Sequence, residues 1–253
     1  MNMTEEKKEN KEKTKKVKPK DEMVDNLFKV GAHYAMTKSH RHPSVVDLIF
    51  GIKGQTEIFN LEKTAPLFEN AIEYVYTLGK SGYTILFASS RNEVKNLIKQ
   101  TAEKIEMPYI AGRWIGGIIT NFKSIQTRIE RMKKLRKEKS SGDLASKYVK
   151  KEIVLFEREL NKLEKSFYGI KDMTRLPHAL IVIDTKKEKI AVEEAARKRI
   201  PVIGITSSNS DIGKINHPIV ANISSGKSVE FILSKLAEAY KKGRSERKET
   251  EEK

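Results

Sequence analysis

The 253 residues are enough for one large domain or two small ones, and 33% charged with 38% hydrophobic residues is the composition of a globular chain. Fifty Lys plus Arg against 34 Asp plus Glu leave a net charge of +16, so a polyanionic partner is the first expectation. The absence of cysteine excludes disulfides, a thiolate nucleophile, iron–sulfur clusters and Cys-based zinc sites; no apolar run approaches the roughly 20 residues of a membrane-spanning helix, and the lysine-rich start lacks a signal peptide's apolar core.

Residues 1–20 contain eight Lys and four Glu and almost nothing apolar, which predicts a disordered basic tail. Order is expected from about residue 26, with Gly31 stopping a first helix and residues 58–64 leading into another over 66–78. Residues 84–88 read as a buried strand, and Ser89 and Ser90 can cap a helix carrying Val94, Leu97, Ile98 and Ala102 at helical spacing. The pattern then changes. Ile125, Ile129, Met132 and Leu135 share one stripe, Ile153, Phe156, Leu160, Leu163 and Phe167 form a heptad-like seam, and residues 140–143 divide them. The expectation is an antiparallel helical-hairpin (coiled-coil) insertion over 122–168, separable from the rest.

After it the strand–helix alternation resumes. Residues 179–183 are apolar and end at Asp184, a helix carries Ile190, Ala191 and Ala195, and 201–205 form a strand ending in Thr206, Ser207 and Ser208. A short strand at 219–221 precedes a helix over 229–240, and 243–253 read as a second disordered tail. Strands buried on both faces and alternating with helices predict an α/β fold, a Rossmann-like or flavodoxin-like parallel sheet between helices, built from 21–121 and 169–242. Thirteen of the sixteen net charges fall in 1–20, 122–168 and 241–253. Such appendages suit a long polyanion better than a small anion, although a basic helix face can also be merely solvated.

Candidate sites are weighed against blander roles. Residues 221–228 end like a phosphate-binding P-loop at Gly226, Lys227 and Ser228, but Ala221 stands where the first glycine is needed and only one helix follows. A serine-capped helix start is preferred to a phosphate-handling enzyme. His33, His40 and His42 cluster without an identifiable third metal ligand, and His178 and His217 lie elsewhere. Asp184 sits where such sheets place functional groups, or simply caps the next helix. In Arg113-Trp114-Ile115-Gly116-Gly117, Arg113 could meet a phosphate; Trp114 could stack on a base, but a core role is preferred. No metal, cofactor or catalytic residue is expected.

Several motifs together resemble the bacterial form of the second small-subunit ribosomal protein, the S-two family. They are Gly31-Ala32-His33 with Pro43, Gly51 and Leu61-Glu62-Lys63-Thr64, then Arg113-Trp114-Ile115-Gly116-Gly117 with Thr120-Asn121-Phe122, Gly169-Ile170-Lys171-Asp172-Met173, Ile200-Pro201-Val202 and Asn209-Ser210-Asp211. The chain departs from that family's pattern at Ala35-Met36, Arg41-His42, Ser207 and 221–224. The resemblance implies a non-enzymatic constituent of the small (30S) subunit, cytoplasmic and ribosome-bound, near the head–body junction. Its partners would be 16S ribosomal RNA, neighbouring ribosomal proteins and, in many bacteria, the messenger-binding protein S-one, with no membrane partner. The RNA-binding candidates are Lys38, Arg41, His42 and Lys53 in the opening loop, Arg91 and Lys95 after the first strand, and Arg113, Lys123, Arg128 and Arg131 near the hairpin root. A protein-only helical adaptor remains a further alternative.

Overall fold

The computed structural model describes residues 19–142 and 148–251. The chain opens with α1 (Pro19–Lys29) and a small antiparallel sheet of β1 (Tyr34–Thr37), β2 (Ile49–Lys53) and β3 (Thr56–Phe59), ordered β1-β3-β2. Then come α2 (Leu61–Lys80), β4 (Ile85–Ser89), α3 (Lys95–Lys104), β5 (Tyr109–Ala111), α4 (Phe122–Ser140) and α5 (Lys150–Phe167). The chain finishes with β6 (Ala179–Ile183), α6 (Lys189–Arg197), β7 (Val202–Thr206), β8 (His217–Val220) and α7 (Gly226–Glu251). Among the described residues no helix is long and apolar enough to cross a membrane.

β4 to β8 form one parallel sheet ordered β5-β4-β6-β7-β8. Its first strand, β4, lies inside the sheet with β5 on one side and all later strands on the other, the flavodoxin-like order, as expected. Every residue of β4, β6 and β7 is buried, and the two-residue period of a strand divides them between two cores. Ile85, Phe87, Ile181, Ile183, Ile203 and Ile205 join α1, α2, α3 and α7. Leu86, Ala88, Leu180, Val182 and Val202 join α4, α5, α6 and the Trp114 loop.

The helix expected near 66–78 starts earlier, at Leu61, because the Asn60 side chain accepts hydrogen bonds from the N–H groups of Glu62 and Lys63 at 3.0 and 3.4 Å. α2 and α7 run side by side so closely that a Cβ on Gly79 would lie 2.3 Å from the Tyr240 carbonyl oxygen. Two expectations about the ends need revision. α1 already begins at Pro19, and the tail expected over 243–253 is helical to Glu251. Those last turns ride on α2 and on the loops ahead of β4 and β5: Arg244 pairs with Glu106 at 2.8 Å, Arg247 donates to the Ser81 carbonyl at 3.2 Å, and the Tyr76 hydroxyl donates to Glu246. The rest of the expected N-terminal tail, 1–18, lies outside the described residues.

The opening stretch, read as a loop, is the β1-β3-β2 sheet. Phe59 packs with Val45 and Val220, and Ser208 accepts from the backbone N–H groups of Met36 and His42 at 3.1 and 2.8 Å. The small sheet is thereby seated on the C-terminal end of the large one. α4 and α5 meet along Ile125, Ile129, Met132, Leu135, Leu160 and Phe167, with Phe156 and Leu163 half-buried. Arg131–Glu159 (3.0 Å), Arg136–Glu164 (3.7 Å) and Lys139–Glu157 (2.9 Å) pair across the seam. That seam belongs to the same apolar cluster as Leu86, Ala88, Leu180 and Val182, so the helix pair is rooted in the sheet's core.

Candidate nucleic-acid interface

Between β5 and α4 the chain passes through Arg113-Trp114-Ile115-Gly116-Gly117 to Thr120 without regular structure, and one carboxylate organises it. Glu194 of α6 is 5% exposed. Its Oε1 accepts from the Trp114 Nε1–H (3.2 Å) and the Gly117 N–H (2.7 Å), while Oε2 accepts from the N–H groups of Ile119 and Thr120 and from the Thr120 hydroxyl, each at 3.0 Å. No cation is paired with it among the described residues. Burial pushes this carboxyl up, but the hydrogen bonds from Gly117, Thr120, Trp114 and Ile119 prevail and hold it below its ordinary value. Trp114 is core, as preferred from the sequence. Glu194 was not singled out there, yet its spacing from Ala191 and Ala195 puts a carboxylate on the buried stripe of α6, a signal that the pattern did contain.

Beside this loop lies a cavity of about 370 Å³ at the C-terminal end of β5, lined by Lys95, Arg113, Lys165, Trp114, Gly112 and Gly116 among others, with no carboxylate in its lining. Lys95 and Arg113 were sequence candidates; Lys165, near the end of α5, was not. Nearby, Gly169 lets the segment leaving α5 pass against β5, since a Cβ there would fall 2.2 Å from the Tyr109 carbonyl oxygen.

The other candidates divide by their partners. Lys38, Lys53, Lys123 and Arg128 are exposed and, like Lys95 and Arg113, make no ion pair among the described residues. Arg41 instead holds fully buried Glu57 at 2.8 Å, and Arg131 makes two hydrogen bonds to Glu159, at 3.1 and 3.0 Å. His42 accepts the Ser44 N–H at 3.3 Å and lines a second cavity with Lys186, Lys189 and Lys214.

Arg91 closes the crevice between β4 and β6, the topological switch point where folds of this kind usually bind ligands. It reaches Asp184 at 3.1 Å, while Asp184 also accepts the Lys187 N–H at 3.2 Å and so caps the turn into α6. Glu188 is buried alongside and accepts the Ser90 N–H at 2.6 Å; burial, with Asp184 nearby, raises its carboxyl above the usual range.

The P-loop-like segment has several of its N–H groups engaged within the protein. Asn222 donates to the Ala32 carbonyl, Ser224 to the Asn222 side chain and Ser228 to the Ser225 hydroxyl, the last at 3.4 Å. The preferred serine cap is what forms. Lys227→Ala is therefore expected to leave nucleotide binding by calorimetry at the level of the unaltered protein, namely none; micromolar affinity that vanishes in the variant would restore the phosphate-loop reading.

Residues 27–243 match the family described as Ribosomal protein S2. The chain is also 38% identical over 229 residues, 90% of its length and 83% of the relative's, to the small ribosomal subunit protein uS2 of Syntrophobacter fumaroxidans (strain DSM 10017 / MPOB). The chain belongs to the ribosomal protein S2 family. The span matched to ribosomal protein S2 takes in both sheets, the α4–α5 pair and the Trp114 loop, and it stops inside α7. The resemblance carried by 113–122 and 169–173 thus falls on the segments that build the cationic cavity and the root of the helix pair.

Proposed function

We propose that this member of the ribosomal protein S2 family is a non-enzymatic constituent of the small (30S) ribosomal subunit, cytoplasmic and ribosome-bound in translation. It binds 16S ribosomal RNA through the cavity beside Trp114 and the basic flanks of α4 and α5. It contacts neighbouring ribosomal proteins near the head–body junction, the messenger-binding protein S-one among them. The observation that carries the reading is the convergence of Lys95, Arg113 and Lys165 on a cavity without a carboxylate, suited to backbone phosphates. The filled crevice at Arg91–Asp184 supports a scaffold in preference to an enzyme. The name of the Syntrophobacter relative, a small ribosomal subunit protein, supports the assembly.

Phosphate contacts release condensed counterions, so affinity for small-subunit RNA is expected to fall steeply as salt rises. Replacing Lys95, Arg113 and Lys165 together by alanine should lower the log–log slope by roughly two to three, at about 0.9 per phosphate lost. Filter binding across a salt series measures this; a flat response in the unaltered protein would sink the RNA-binding reading.

A further inference from the structure

Apart from the candidate cation Lys53, the outward face of the small sheet has no role in anything described so far. Tyr34 and Gly51 both pair with Ile58, and Thr37 and Lys53 both pair with Thr56, so these residues lie side by side on one face. Glu57 and Phe59 turn inward and are buried. Space above Gly51 is open, with no atom within 4 Å of where a Cβ would stand.

At the Tyr34 end three rings form a column. Phe28 of α1 stacks on His33 at 4.5 Å with planes 16° apart, and His33 lies against Tyr34 at 4.2 Å. The middle ring is 9% exposed, whereas Phe28 is 60% and Tyr34 44% exposed. Burial, aided by the charge of Lys53, lowers the His33 pKa, which keeps the column neutral at physiological pH. The surface thus offers exposed aromatic rings, the Lys53 cation and the threonines at 37 and 56, with no carboxylate among the residues of this face. Those are the ingredients of a single-stranded nucleic-acid platform, where bases stack on aromatic rings and the backbone follows positive charge. Paired bases in a duplex have no free face for such a ring, and an apolar peptide has no use for the cation.

We propose that the Phe28–His33–Tyr34 column and Lys53 bind an unpaired nucleotide of RNA, its base stacked on Tyr34 and its phosphate directed to Lys53. This rests on the RNA-binding reading above and adds a site separate from the Trp114 cavity. The probe is a short single-stranded RNA carrying 2-aminopurine, whose fluorescence is quenched on stacking, run beside filter binding to small-subunit RNA. Tyr34→Ala should weaken oligonucleotide binding about ten-fold and abolish the quench, in line with the cost of losing one base–aromatic stack. Tyr34→Phe should retain both, and circular dichroism should show the alanine variant folded. Lys53→Ala should reduce the salt slope by about one. Unchanged quenching in Tyr34→Ala, with small-subunit RNA still bound by the unaltered protein, overturns the platform alone. Full oligonucleotide binding by Tyr34→Leu shows that no base stacks on this ring and also overturns it. Failure of the unaltered protein to bind small-subunit RNA removes the broader reading and the platform with it.

Discussion

Glu194→Ala is expected to destabilise the fold by at least about 4 kcal/mol, because five hydrogen bonds end on this one carboxylate and the substitution leaves buried donors with no acceptor. Glu194→Gln keeps the shape but loses the charge and places an amide N–H₂ against N–H groups, for roughly 2 kcal/mol. The folded-state carboxyl lies below its ordinary value of 4.5. Its contribution is therefore complete above about that pH and is lost as pH falls through the depressed folded value. Urea titrations should accordingly show the gap between the unaltered protein and Glu194→Gln open at neutral pH and closing in acid. A gap that stayed constant would mean the carboxylate is not ionised in the folded protein. Binding to small-subunit RNA should weaken as well, since the loop that carries Arg113 is held by this group.

The second large effect concerns α4 and α5. Exchanging residues 123–168 for a short glycine-containing linker should unfold the sheet domain rather than spare it. Ile125, Ile129 and Phe167 go with the segment, and they complete the core under Leu86, Ala88, Leu180 and Val182. Each such loss costs roughly 2–5 kcal/mol, which together rivals the whole stability of a typical domain. Exchanging only 137–155 should leave that root intact and the protein folded by near-ultraviolet circular dichroism. The shortened protein should then compete poorly with the intact one for incorporation into small subunits, having lost the outer basic part of both helices. Equal competition would mean that this outer part contacts nothing in the subunit.

The large sheet could be read before the structure because its inner strands are apolar without interruption: Ile85 to Ala88 and Ala179 to Ile183 need no partner to announce burial on both faces. The small sheet could not, since its strands are four or five residues long and expose Phe50 and Ile52, which blurs alternation. A signal was nonetheless present in Lys53-Gly54-Gln55-Thr56, where Gly54 adopts φ +66° in a two-residue hairpin turn. Of the cationic candidates, Lys95 and Arg113 meet at one cavity, but Arg41 and Arg91 are held by Glu57 and Asp184, the latter 93 residues away in the chain. Which cation stays free for a partner is decided by that tertiary pairing, and net charge does not reveal it. Glu194 did carry a signal in its spacing from Ala191 and Ala195, but it is easily passed over because a glutamate on a helix ordinarily reads as solvated.

The packing of α7 on α2 has a consequence for the order in which this chain can be completed. One core is filled from both ends of the chain: Phe68, Ala71, Val75 and Ile98 come early, and Val229, Ile232, Leu233, Leu236 and Tyr240 come last. During synthesis the early residues must wait, uncovered, until the final helix has left the exit tunnel. The opposite core draws on residues from Leu86 to Ile215 and can close sooner. A chain stopped short of residue 226 therefore presents a half-finished sheet with one greasy face open, the kind of species that aggregates or engages chaperones. Closure of this core thus rests on the twenty-six residues of α7.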